Sequence, residues 1–316
     1  MPDSLESRNP SPGRGRSWLF YSLITMLLWG GWGFASKPLA TTLSPWQVQC
    51  LSTLGLLPVL AVLGASRQLR SGSKLRRGFW QAFAAGVISS MGNVACYQAM
   101  AIGGKVAAVL PLTALYPLVT IILAMLLLGE RLNAVQWGGV AASLVALGFL
   151  NVGADAAWIS PWLAVALIPI GLWGISGLLQ KLATSHASNE LATFGFLLGF
   201  VPAAALIPVL RPFAWGLSAT TWLWLFLLGL FFSLGNLTLI IAYGSGGRAS
   251  IVTPMTSLYS LVTIPLAMLL LHERITTREG LGVFAAVCAV LALGRETSTV
   301  AVQSGLDPGT ERRSAG

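Results

Sequence analysis

The sequence predicts an all-α integral membrane protein, with ten transmembrane helices in two inverted five-helix repeats. Three observations carry this expectation. Only 9% of the 316 residues are charged and 55% are hydrophobic, whereas a soluble domain carries about 25% charged residues; a surface so poor in charge has to face lipid. The chain divides into ten apolar stretches, each near the roughly 20 residues that a spanning helix needs. The second half repeats the first in register.

Taken in order, the stretches are 18–40, 45–64, 79–101, 105–128, 133–152, 160–182, 190–210, 220–243, 248–271 and 278–295. The first starts at Trp18, after a polar segment that ends at Arg16. A cleaved secretory signal has a shorter apolar core and a small-residue cleavage site. Here Lys37-Pro38 and further spans follow instead, so the stretch reads as an uncleaved helix. The joining segments are short, which leaves little room for a soluble domain. Residues 1–16 and 296–316, rich in Ser, Pro, Gly and Arg, read as disordered tails. Between them lie one repeat at 17–153 and a second at 158–295.

Charge sets the orientation. With the N-terminus inside, the inner segments hold 14 of the 19 Lys and Arg residues, from Arg8 to Arg313, and the outer segments hold 5: Lys37, Lys105, Arg211, Arg274 and Arg278. This bias places both termini in the cytoplasm, which requires an even number of spans. The net charge of +9 therefore reports topology and not affinity for nucleic acid. Cys50, Cys96 and Cys288 stand singly inside apolar runs, without metal or redox spacing, and read as small core residues.

The internal repeat is the strongest signal. Residues 91–131 (MGNVACYQAMAIGGKVAAVLPLTALYPLVTIILAMLLLGER) and 234–274 (LGNLTLIIAYGSGGRASIVTPMTSLYSLVTIPLAMLLLHER) agree without a gap at roughly half their positions, the self-similarity that marks a duplicated unit. Gly92-Asn93 falls on Gly235-Asn236, Pro111 on Pro254, Tyr116 on Tyr259, and Glu130-Arg131 on Glu273-Arg274. The starts of the halves align too: Trp29-Gly30, Gly33 and Lys37 fall on Trp173-Gly174, Gly177 and Lys181. Apolar bias matches Leu with Leu, but it does not place Asn, Pro and Tyr in register. Five helices per copy force the second copy to enter the membrane from the opposite side. The halves are then inverted repeats, an arrangement that transporters use with the substrate site near mid-membrane.

Two copies of Pro-(Leu/Met)-Thr-x-Leu-Tyr-x-Leu-Val-Thr running into Leu-Leu-Leu-x-Glu-Arg resemble the EamA repeats of the drug/metabolite transporter superfamily, over about 17–295. The layout is similar to that of the ten-helix type, with its YddG-like architecture. The resemblance implies a multi-pass carrier of the plasma (bacterial inner) membrane that moves a metabolite, often outward. It also implies a cavity lined by spans one, three, four, six, eight and nine. No cofactor or metal is implied.

Several polar residues are candidates for that cavity. Thr113, Tyr116 and Thr120 share one helical face, as do Thr256, Tyr259 and Thr263, by their i, i+3, i+7 spacing. Such hydroxyls need partners, because lipid offers none; they wall the cavity or tie helices together. Asn93 and Asn236, buried amides, have the same two readings. Trp32, Trp173, Tyr97 and Ser176 complete the candidate set. Pro111 and Pro254 each remove a backbone donor and are hinge candidates, or packing kinks that membrane helices tolerate. The terminal Glu-Arg pairs read as helix caps and Lys37 as a snorkelling end. The spans read as free of carboxylates, the usual proton and cation relays. A neutral or zwitterionic solute, carried by alternating access, is therefore expected; export follows from the resemblance alone. A flippase for a lipid or lipid-linked sugar is the alternative on this scaffold. A membrane-embedded enzyme is the remote third reading, since His186 and His272 have no companions with ligand spacing. The expected partners are a small-molecule substrate and the bilayer. An inverted duplication within one chain can replace a dimer, so no obligate protein partner is expected.

Overall fold

The computed structural model describes residues 17–128, 133–150, 159–213, 215–245, 252, 255–293 and 295. The expectations for the two tails, Glu130-Arg131 and Pro254 lie outside these residues. Every regular element described is helical, and the elements form ten rods. In the first half these are α1 (Ser17–Thr42), α2 (Pro45–Ser52) with α3 (Leu57–Gly64), α4 (Leu75–Ala101), α5 (Val106–Thr113) with α6 (Tyr116–Leu128), and α7 (Ala134–Leu150). In the second they are α8 (Pro161–Thr184), α9 (Asn189–Leu198) with α10 (Val201–Leu210), α11 (Ala219–Gly244), α12 (Ser260–Leu270) with the turn before it, and α13 (Thr277–Leu293).

Local sequence explains where rods begin. Ser44 Oγ accepts from Gln47 N at 3.2 Å at the start of α2, and Ser188 Oγ accepts from Leu191 N at 3.2 Å at the start of α9. A serine there satisfies one of the donors that a helix start leaves open. The two serines occupy matching places in the two halves.

Ser17–Thr42, Pro45–Gly64, Pro161–Thr184, Asn189–Leu210 and Ala219–Ala242 are each long and apolar enough to cross a membrane; Val106–Thr120, Ala134–Leu150 and Met255–Leu270 are shorter apolar helices. The burial pattern is that of a protein in lipid. Leu126, Val209 and Leu269 are 73%, 74% and 72% exposed, while Ser22, Thr113, Ser143 and Thr263 are fully buried. Water would penalise so large an apolar exterior, whereas lipid accepts it and drives the hydroxyls inward.

The packing obeys the repeat. Helix α1 packs on α11 and α12, and its counterpart α8 packs on α4 and α6; α7 packs on α13, which closes the pseudo-two-fold relation. Glycines bring these pairs together. A side chain at Gly30 would overlap Val262, and one at the matching Gly174 would overlap Val119. Gly86 lies against Gly199, and Gly229 against Gly55, so that added side chains would strike backbone atoms. Close approach of this kind is what small residues provide between membrane helices. Gly171, by contrast, has open space where a side chain would go.

Candidate functional site

The fourth and ninth rods are broken within one residue of the same place. After α5 the chain turns through Ala114-Leu115, with Leu115 N bonded to Leu112 O (3.0 Å) and Leu118 N to Leu115 O (2.9 Å). The second half turns at Leu258-Tyr259, with Tyr259 N bonded to Thr256 O (3.1 Å) and Leu261 N to Leu258 O (2.9 Å). Pro117 has no N–H for the regular bond to Thr113 O, but Ser260 stands at the matching position. The break therefore follows the shared Thr-x-Leu-Tyr sequence and not that ring. Pro111, the described hinge candidate, lies inside α5, upstream of the discontinuity.

These breaks deliver side chains to the middle of the molecule. Trp32 of α1 is the hub. Its Nε1 donates to Tyr97 Oη of α4 at 3.3 Å. Its ring lies 6.0 Å from Trp173 of α8, 5.9 Å from Phe232 of α11 and 6.4 Å from Tyr259, centroid to centroid. Trp29 meets Tyr259 edge-on at 6.2 Å, and its counterpart Trp173 meets Tyr116 edge-on at 6.3 Å. Hydroxyl pairs cross between the halves: Thr113 Oγ1 to Tyr259 Oη at 3.5 Å, and Ser257 Oγ to Tyr116 Oη at 3.4 Å. Trp32, Tyr97, Thr113, Thr256 and Tyr259 are all buried. The helices that supply this cluster belong to spans one, three, four, six, eight and nine.

Other candidates are tied into the frame. Ser176 Oγ donates to Ala85 O across α8 and α4 at 3.0 Å, and Asn236 Nδ2 donates to Phe232 O of its own helix at 2.8 Å. Thr120 Oγ1 donates to Gly174 O, and the matching Thr263 Oγ1 to Gly30 O, both at 2.9 Å. These last two hydroxyls tie helices together. Asn93 is 3% exposed. Its Oδ1 is buried without a hydrogen-bond partner among the described residues, as is Trp29 Nε1. The glycines beside the two asparagines make room for rings from the opposite helices, Gly92 for the Trp173 indole and Gly235 for Trp29. Sequence reasoning missed Phe232 and Ser257. Phe232 is hidden in an apolar run, but Ser257 is one residue from the Thr256 already singled out, so the short polar cluster was the available signal.

A second polar assembly joins the two halves at one end of the bundle. Lys105 Nζ forms an ion pair with Glu279 Oε1 at 2.7 Å and donates to Arg274 O at 2.9 Å. Both oxygens of Glu273 accept backbone N–H groups at the start of α5, from Val106 at 3.0 Å and Ala107 at 3.1 Å. A carboxylate there satisfies orphan donors and meets the positive end of the helix dipole. Glu273 thus caps, as read from sequence, but it caps the opposite half. Lys37 donates to Met100 O (3.1 Å) and Gly104 O (2.6 Å). The reading of the spans as free of carboxylates also fails. Glu190 and Glu279 stand in the first turns of α9 and α13, within predicted spans, and Glu279 is 4% exposed.

The matching position at the other end is neutral. Gln136 aligns with Glu279 and Asn133 with Thr276. Asn133 and Gln136 cap each other, and their amides donate to Arg295 O at 2.6 Å and Leu293 O at 3.2 Å. Among the described residues no group of three His, Cys, Asp or Glu side chains is placed to hold a metal ion.

The sequence model of the EamA-like transporter family matches residues 16–152 and again residues 160–295. No protein of curated function matches the sequence. Among solved structures, one titled only as the crystal structure of a protein is similar, with a TM-score of 0.57 and 16% identity over 87% of this chain and 96% of that one. At that identity the likeness speaks for the fold alone.

Proposed function

Because the chain belongs to the EamA-like transporter family, we propose that it is a secondary carrier which moves a small neutral or zwitterionic organic solute by alternating access, in the export direction. The observation that carries this reading is the meeting of two inverted halves on one buried cluster, centred on Trp32 and Tyr259. Each half contributes a broken span, a Thr-x-Leu-Tyr turn and a tryptophan, so the halves can exchange roles and expose that centre to either side. The groups at the centre are indoles, phenols, hydroxyls and an amide, which suit a solute without strong net charge. Trp29 Nε1 and Asn93 Oδ1 add a buried donor and a buried acceptor without partners among the described residues. Such groups are costly to leave unmatched, and a bound polar solute would satisfy them. The proposed setting is the plasma membrane with both termini in the cytoplasm, on the charge bias described above.

The test is a flux screen in proteoliposomes with amino acids, sugars and amines, under imposed pH and sodium gradients. The expected outcome is saturable flux of a neutral or zwitterionic solute. Strong proton-driven efflux of a cationic dye, with no flux of neutral solutes, would overturn the substrate class.

A further inference from the structure

We propose that the segment 66–74 and the first turns of α4 form a binding site for the phosphate headgroup of an anionic bilayer lipid. Arg67, Arg70, Lys74, Arg76 and Arg77 are all exposed and fall within eleven residues. Among the described residues none of the five is joined to a carboxylate. The segment is held in shape by the other half of the molecule. Lys74 N donates to His186 O at 3.0 Å, Ser188 N to Ser71 O at 2.9 Å, and Ser188 Oγ to Gln68 O at 2.8 Å. The cations are therefore presented by an anchored strap.

Charge and helix geometry point to an anion. The start of a helix carries partial positive charge and open N–H donors, which acidic residues or an anion normally offset. Helix α4 has no acidic residue in its first turn, and its N-cap, Lys74, makes no side-chain capping bond. Lys74, Arg76 and Arg77 add positive charge to an end that is already positive, and the first turn of α4 supplies no negative partner. The remaining lining identifies the class of anion. Lys74, Leu75, Arg76, Arg77 and Trp80 line an open groove of about 520 Å³, and Trp80 is 54% exposed. Trp80 lies about 9 Å further along the helix than Lys74, at 1.5 Å per residue. Cations at the rim with an exposed Trp one step deeper follow the layering of a bilayer interface. A free anion would engage the cations and leave Leu75 and Trp80 without a role.

The test uses the full chain in detergent, analysed by native mass spectrometry and by thermal shift with added phosphatidylglycerol, phosphatidylcholine or inorganic phosphate. Phosphatidylglycerol is expected to be retained and to raise the melting temperature. The double variant R76Q/R77Q is expected to lose affinity by about tenfold or more, as two cations near an anionic surface account for. The variant R312Q/R313Q, which removes the same charge from the tail, is expected to bind as the wild type does. Equal retention by R76Q/R77Q, equal loss in the tail variant, or equally tight binding of inorganic phosphate alone would each overturn the proposal. The single variant K74Q, at an exposed position, repeats the test if the double variant elutes as aggregate.

Discussion

Trp32→Ala is expected to abolish solute flux in proteoliposomes and to lower the thermal stability of the solubilised protein by the equivalent of about 3–5 kcal/mol, the usual cost of removing a buried aromatic. Trp32 is 4% exposed and touches rings from four other helical segments. Its removal opens the centre that both halves share. Trp32→Phe separates function from folding. It keeps a ring but loses the Nε1 bond to Tyr97 Oη, a loss of about 1 kcal/mol, and should fold with reduced but measurable flux. Wild-type flux per folded molecule in Trp32→Ala would remove the cluster from the transport path.

The second large effect is expected at the charged end. Glu279→Gln leaves Lys105 without its carboxylate. The Glu279 side chain is 6% exposed and that of Lys105 is 38% exposed. The pair should therefore contribute more than the ~0–1 kcal/mol of a surface pair and less than the ~3–5 kcal/mol lost on breaking a fully buried one. A fall in melting temperature corresponding to about 1–3 kcal/mol is expected, between those limits. Lys105→Met combined with Glu279→Gln should recover part of it, since two groups in contact are not additive. At the opposite end Gln136 holds its neighbours with neutral hydrogen bonds, so Gln136→Ala should show weaker salt dependence than Glu279→Gln. Additive single and double variants at 105 and 279 would mean that the pair does not couple the two halves at that end.

Much of the fold was legible in the sequence, because lipid imposes strong rules. Ten apolar stretches, a charge bias and an in-register repeat sufficed for ten rods in two copies. The Thr113/Tyr116 and Thr256/Tyr259 faces were legible from helical spacing, and Tyr116 and Tyr259 both reach the centre. What spacing could not separate was Thr113, which meets Tyr259, from Thr120, which ties α6 to α8; both lie on one face and differ only in what packs opposite. The Lys105–Glu279 pair joins residues 174 apart in sequence, and no local period encodes it. The discontinuity of the fourth span was sought at Pro111 because proline breaks are local and visible. It lies at Ala114-Leu115 instead, in the Thr-x-Leu-Tyr sequence that both halves share.

The central claim is that one buried centre opens to each side in turn. The direct measurement is thiol labelling of Thr113→Cys in a chain whose Cys50, Cys96 and Cys288 are replaced by alanine, reconstituted in proteoliposomes. A membrane-impermeant reagent is applied to one face at a time. Labelling from either face, with each slowed when a transported solute holds the opposite state, is the predicted result. Labelling from a single face under all conditions would contradict the account.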